Sequence, residues 1–308
     1  MESDLFLSRL KQPTPLSLCG VEQQRVDDFY GLATCVIRAQ VSVSDPEYQT
    51  HVVFDELKQY AQFYESLADG VFQFVSVGTT AICNIDTYVY SAIAGTIASI
   101  SLVLRDGRIN DAYALLRKYY DSAVINIYSN LYLREHYERW DFTAETLLAE
   151  QINGWLHGRV KLPEYRVMSH YIRSSERLRT INALLHADDT YKKIRSRCND
   201  NTHYNFFENV MLNNREVYVR NRGTALEQIR QDAIAIFVLH FSCVISVNEH
   251  YLMSSDYMDH MECGSTPPDG CEHWVAPYAQ DAFNSILRVH RPDLAEAILQ
   301  KSAMQFDD

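Results

Sequence analysis

Glycine and proline are scarce, with 11 and 8 residues in a chain of 308, about half the share that soluble proteins carry. Both residues interrupt helices, so their scarcity predicts long ones. Four of them fall between Gly264 and Gly270, which leaves the rest of the chain poorer still. Several motifs are missing as well. No Gly-x-Gly-x-x-Gly, Gly-Lys-Ser/Thr or His-Glu-x-x-His occurs, so nothing calls for a nucleotide cofactor or a protease zinc. Gly-x-Ser-x-Gly, the serine-hydrolase elbow, is absent too. No cofactor and no catalytic metal is expected. An apolar fraction of 47% with 22% charged residues excludes a disordered chain, and no internal repeat or low-complexity tract is present.

The seven cysteines, at 19, 35, 83, 198, 243, 263 and 271, are odd in number and widely spaced. The first ten residues contain Glu2 and Asp4 and no apolar stretch, so export is not expected, and a reducing cytoplasm is. The longest uncharged run, Thr87 to Leu104, is interrupted by Ser91, Gly95, Thr96, Ser99 and Ser101 and flanked by Asp86 and Arg105. It reads as a buried core helix, with no membrane partner.

Periodicity predicts helices over Gln23 to Val43, Glu47 to Ala68 ending near Gly70, and Ala81 to Leu104, with Phe72 to Gly78 ambiguous. Asp106-Gly107 is the sharpest turn signal, after which Asn110 is placed to cap a helix running to Glu135. Two long helices on so short a link predict an antiparallel hairpin from Ala81 to Glu135. Further helices are expected over Thr143 to Leu156, Ser169 to Leu185, Asp188 to about Arg197, Thr224 to Met253, Ala276 to Val289 and Pro292 to Met304. Asn199 to His203 reads as a polar interruption and Asp256 to Gly270 as a loop. The expected architecture is an all-α, multi-helix bundle built on the long hairpin. It divides into an N-terminal elaboration (1–80), a central bundle (81–253) and a C-terminal loop with two helices (254–308), together one cooperative unit.

Net charge is −12, which repels nucleic acid as a whole. Its distribution is uneven. Arg159 to Arg222 holds 13 Lys and Arg against 7 Asp and Glu, a local +6 that leaves −18 elsewhere. Two readings stand: solvated helix faces balanced by acidic partners in the fold, or a phosphate-contacting surface. Tyr165, Tyr171, Tyr191, Tyr204, Phe206 and Phe207 offer bases something to stack on in the second.

Within that stretch, Arg197-Cys-Asn-Asp-Asn-Thr-His203 puts a guanidinium and an imidazole at the end of a helix. Continued helix would separate them by about 9 Å along the axis and about 120° around it. Imidazole moves protons near neutral pH and guanidinium holds a phosphate and its developing charge, so the pair suits RNA cleavage with the 2′-hydroxyl as nucleophile and no metal. The spacing alone is not diagnostic, because Arg179 and His186 also fall within the range Arg-x4-6-His.

The segment Asn110-Asp-Ala-Tyr-Ala-Leu-Leu-Arg117-Lys-Tyr-Tyr-Asp121 resembles the Leu-Leu-Arg-x3-acid helix of bacterial HEPN-like proteins, the helical bundles named for higher eukaryote and prokaryote nucleotide-binding domains. Tyr191-Lys-Lys-Ile194-Arg-Ser-Arg197-Cys198-Asn199-Asp-Asn201-Thr-His203 is similar to the later helix of that superfamily that carries Arg-x4-6-His. The resemblance covers roughly residues 81 to 250. It implies a helical bundle, homodimerisation and, in active members, a metal-independent endoribonuclease of toxin and phage-defence systems, where an antitoxin can be the protein partner. Carried over, Arg197 would hold the scissile phosphate and His203 would move the proton, with Asn199, Asn201, Arg117 and Asp121 in support. The alternative that the same resemblance allows is a non-catalytic interaction or regulatory module.

Arg117 and Asp121, at i and i+4, can pair on one face, either lining the His203 pocket or locking the hairpin. His260-x2-Cys263-x7-Cys271-x-His273 offers two nitrogens and two thiolates that zinc accepts, although its spacing matches no common finger. Free thiols or a loop disulfide are the other readings of that loop.

Overall fold

A computed structural model of the chain describes residues 43–72, 85–138, 150–213 and 222–307. The helix expected over Gln23 to Val43, most of Phe72 to Gly78 and the start of Thr143 to Leu156 lie outside the described residues. Those described belong to one compact unit, Val41–Asp308. Their regular structure is helical, with two isolated β-bridges, Met253 to Val275 and Trp274 to Gln305, and no strand among them.

Helices α1 (Pro46–Gln49) and α2 (Val53–Phe72) replace the single helix expected from Glu47. The break has a local cause: His51 Nδ1 accepts the Val53 N–H at 3.2 Å, which satisfies a donor at the start of α2 from outside the helix. The second helix also runs through Gly70 instead of stopping there. A Cβ on Gly70 would lie 3.2 Å from the Tyr278 hydroxyl oxygen, so this glycine serves close approach, not termination.

Helices α3 (Ile85–Arg105) and α4 (Ile109–Glu138) are joined by the expected tight turn, with Gly107 at φ 79°. An alanine Cβ there would sit 2.5 Å from Val43 Cγ2, which excludes any side chain. Asn110 lies inside α4 and does not cap it. The cap comes from far along the chain, where Asn213 Oδ1 accepts the N–H of Asn110 at 2.9 Å. The first turn of α3 rests against the later turns of α4, since Asn126 and Asn130 both donate to Asp86 at 2.7 Å.

After α5 (Glu150–Leu156), the helix expected over Ser169 to Leu185 is two, α6 (Tyr165–Ser174) and α7 (Arg179–Leu185). Asn182 Nδ2 donates to the Ile172 carbonyl at 2.8 Å, a second bond on an acceptor that also takes the Ser175 N–H at 3.2 Å, and so fixes the turn between α6 and α7. There follow α8 (Thr190–Thr202), α9 (Phe207–Met211) and α10 (Arg222–Asn248), the last leading into a 3-10 turn, Glu249–Leu252. Part of the expected Asp256 to Gly270 loop is helical, α11 (Asp256–Glu262), with Asp256 and Asp259 in its first turn, where carboxylates favour the helix dipole. Helix α12 (Pro277–Ala282) continues through a π-helical Phe283–Leu287 to Arg288–His290. Helix α13 (Pro292–Leu299) begins on its proline, as expected.

Helix α10 is the centre of the bundle. Phe63 and Tyr64 of α2 pack their rings on Phe237 with centroids 5.0 and 5.9 Å apart, and Phe237 stacks on Phe241. Among the described residues, two helices are long and apolar enough to cross a membrane, and no more follows from that. One is α10 with its extension, 78% buried over the apolar window; the other is α3, 39% buried. The buried core helix expected over Thr87 to Leu104 turns one face to the core and leaves the other outside it. Tyr90, Ile93, Ile97, Ile100 and Leu104 face the core, whereas Leu102 is 71% exposed.

Candidate functional site

Helix α8 carries the expected Arg-x5-His residues, and its buried positions Tyr191, Ile194 and Cys198 recur at the i, i+3, i+7 spacing of one helix face. It does not stop near Arg197. Asn201 Nδ2 donates to the Arg197 carbonyl at 2.9 Å and Thr202 Oγ1 to the Cys198 carbonyl at 2.6 Å, so the short polar side chains that signal an interruption instead bond back to the helix. His203 is the C-cap, its N–H donating to the Asn199 carbonyl at 3.0 Å. Tyr204 then adopts φ 51°, the left-handed conformation that glycine usually supplies after a helix. Asp200 pins this turn: its carbonyl accepts the Asn205 N–H and Asn209 Nδ2, each at 3.0 Å, and its carboxylate accepts Asn205 Nδ2 at 2.7 Å.

Arg197 turns inward. Its Nε donates to Asp232 Oδ2 at 2.9 Å and its Nη2 bonds the other oxygen, while Gln228 also donates to Asp232. Burial disfavours the Arg197 charge, and the Asp232 contacts outweigh that penalty and hold the guanidinium ionised. The Asp232 side chain is 2% exposed. His203, in contrast, is exposed. No hydrogen bond or ion pair among the described residues joins the two.

The supporting residues divide in the same way. Asn201 is buried on the Arg197 carbonyl. Asn199 lines a cavity of about 490 Å³ with Tyr120, Tyr165, Tyr191, Lys192 and Arg195, and its Oδ1 has no hydrogen-bond partner among the described residues. Asp121 lies 3.7 Å from Arg117 Nε and 2.5 Å from Arg195 Nη1, so it ties α4 to α8 and reaches neither Arg197 nor His203. Arg195 also stacks its guanidinium 3.4 Å above the centre of the Tyr165 ring.

Of the six aromatic residues singled out above, three are committed to the fold. Tyr191 is buried, Tyr165 lies under Arg195 and donates to the Tyr120 hydroxyl, and Tyr171 donates to Glu135. Tyr204, Phe206 and Phe207 remain outside, 48%, 59% and 77% exposed. At the C-terminal loop, His260 Nδ1 bonds the Ser265 hydroxyl at 2.8 Å, Cys271 is buried and Cys263 exposed, both as free thiols. No group of three metal-ligating side chains gathers among the described residues.

A buried polar chain lies apart from α8. Burial pushes the His240 pKa down to about 3, so the ring is neutral. Asn126 gives its Nδ2 hydrogens toward Asp86 and presents Oδ1 to His240 Nε2 at 2.8 Å. The proton therefore sits on Nε2, and Nδ1 accepts from Tyr64 at 2.8 Å. Tyr64 in turn accepts from Tyr119 at 3.0 Å. At the far end, Tyr251 donates to Asp86 at 2.7 Å. Each partner offers Asp86 a donor, the set a carboxylate needs in an apolar setting.

Two residues of these sites escape a sequence reading of motifs, Asp232 and Arg195. Asp232 carries a signal all the same: an acid on the core-facing side of α10, between Ile229 and Ile236, requires a cation. Arg195 carries none, since every arginine of α8 is equally placed to find a carboxylate. No protein-family model, no curated protein and no solved structure matches the chain.

Proposed function

We propose that the chain is a HEPN-like helical module, built on the antiparallel pair α3 and α4, that binds single-stranded RNA at the exposed end of α8 without cutting it. The observation that carries this reading is the turn pinned on Asp200, which presents Tyr204, Phe206 and Phe207 to solvent next to His203. Exposed aromatic rings on a rigid support stack on bases at low entropic cost, and each is worth ~1–3 kcal/mol per stacked base. Lys192 and Lys193, exposed in the first turn of the same helix and about 15 Å along it from His203, supply phosphate contacts to a strand that runs along α8, within a segment of local +6 charge. Arg197 serves the fold in this reading, through Asp232.

The test is fluorescence anisotropy with a labelled single-stranded RNA in EDTA. Binding that weakens as salt rises, and weakens at least tenfold in the Phe206→Ala, Phe207→Ala double variant, is the expected result. Equal binding by that variant rejects the reading.

The exposure of His203 favours a second reading, cleavage in the manner of a toxin or phage-defence endoribonuclease. It requires Arg197 to release Asp232 or a second copy to supply the phosphate contact, so a homodimer belongs to it. Intact RNA after prolonged incubation with wild-type dimer sets this reading aside. Fragments that persist in EDTA and vanish in His203→Ala establish it in place of the first.

A further inference from the structure

A cavity of about 460 Å³ opens between α7, α8, α10 and the residues just before α13. Arg197, Gln228 and Asp232 line one side of it. Asp232 grips Arg197 side-on, accepting from Nε and Nη2, and this takes two of the five N–H donors of a guanidinium. The two on Nη1 and the second on Nη2 bond no described residue. Nη1 and Nη2 together form the other edge of the planar group, a pair of parallel donors whose direction the buried carboxylate fixes. Gln228 hangs on the same acid. Its Nε2 donates to Asp232 Oδ1 at 3.1 Å, and its Oε1 accepts from no described residue. Asp232 therefore orients two donors and one acceptor, side by side, in residues that line an open cavity.

We propose that this cavity receives a guanine base of a single-stranded RNA lying along α8, an inference that rests on the RNA-binding reading above. Guanine presents N7 and O6 as adjacent acceptors, followed by N1–H as a donor. The paired donors of Arg197 match N7 and O6, the commonest specific contact of a side chain with a base edge in DNA, and Gln228 Oε1 matches N1–H. Adenine carries an amino group where guanine has O6, which sets donor against donor and leaves buried groups unpaired. Uracil has no two adjacent acceptors. Cytosine repeats the order of guanine along O2, N3 and N4, but on a single ring that reaches less far into a cavity of this volume. Leu184, Ala235 and Val238 supply apolar walls for the faces of the base. Lys193, one turn before Arg197 on α8, lines the same cavity and joins the base pocket to the phosphate contacts already proposed. Guanine is neutral, so its recognition depends on the direction of the donors and not on a surplus of positive charge.

The experiment is fluorescence anisotropy of the full chain with labelled oligouridylates of equal length, one unsubstituted and the others carrying a single central guanine, adenine or cytosine. The RNA with guanine is expected to bind about tenfold more tightly than the other three. Arg197→Lys keeps a cation beside Asp232 and loses the parallel donors, so it is expected to fold normally by circular dichroism and to bind all four RNAs alike. Gln228→Ala, at a partly exposed position, is expected to reduce the preference without touching the ion pair. The proposal is overturned if guanine confers no advantage, if cytosine serves as well, or if both variants keep the full preference. Four RNAs that bind equally, and weaken together in the Phe206→Ala, Phe207→Ala variant, reject the guanine pocket and leave the RNA-binding reading standing. Absence of binding to every RNA rejects both.

Discussion

Arg195 and Asp121 lie 2.5 Å apart, and this contact, not the i,i+4 pair of Asp121 with Arg117 at 3.7 Å, fastens α8 to α4. The half-buried setting, with side chains 22% and 34% exposed, makes the pair stronger than a surface bridge, for which ~0–1 kcal/mol is typical. Arg195→Ala also strips the cation from the Tyr165 ring. It is expected to cost ~1–2 kcal/mol in urea unfolding, and Arg117→Ala less than half of that. Equal losses in the two variants would mean that the pair within α4 carries as much of the energy as the interhelical one.

Arg197 and Asp232 make the sharper stability test. Removing one partner strands the other charge in the core, which typically costs ~3–5 kcal/mol; the partial exposure of Arg197, 31%, lets water relieve some of it. Arg197→Ala is expected to lose ~2–3 kcal/mol. The Arg197→Met, Asp232→Leu double variant recovers most of that, because no charge remains to be buried. A double variant as unstable as the single one would show that packing, not charge, is what Arg197 contributes. Loss of activity in Arg197→Ala alone thus says nothing about catalysis, and His203→Ala is the informative variant.

The parts of this fold legible in the sequence were those set by local chemistry: the Asp106-Gly107 turn, the long helices on either side of it, and Pro292 at the start of α13. What escaped depends on distant partners. Asn213 caps α4 across more than a hundred residues, Asn182 splits a helix by taking a carbonyl ten residues back, and Thr202 and Asn201 extend α8 through a stretch whose composition signals a break. The same holds at the site. Arg197 looks available to a phosphate until Asp232 is placed beside it, and only tertiary structure decides which arginine of α8 meets Asp121.

The neutrality of His240 has a pH signature. In the native protein its pKa is pushed down to about 3 by burial, against about 6.5 unfolded. Above pH 6.5 neither state binds the proton and the residue adds no pH dependence. Below it the unfolded chain takes up a proton that the native ring refuses, so stability falls with acidification by up to ~1.4 kcal/mol per pH unit. Asp86 acts in the opposite sense, since burial raises its pKa and the native state gains its proton first. Comparing pH 7 with pH 5, His240→Gln is expected to lose ~2 kcal/mol less than the wild type does. Identical losses would place a proton on the native imidazole.

Tyr204 separates stability from function most cleanly. Its φ of 51° is a conformation that costs a side-chain-bearing residue ~1 kcal/mol or more and glycine almost nothing. With its side chain 48% exposed, little packing is lost when the ring goes. Tyr204→Gly is therefore expected to raise the urea midpoint, by up to ~1 kcal/mol in stability, while weakening RNA binding by the loss of one stacking ring. Tyr204→Ala keeps the strain and loses the ring, so it should weaken binding equally without the gain in stability. If both variants bind RNA as the wild type does, the ring is not a stacking platform, and the strain at the end of α8 has no part in recognition.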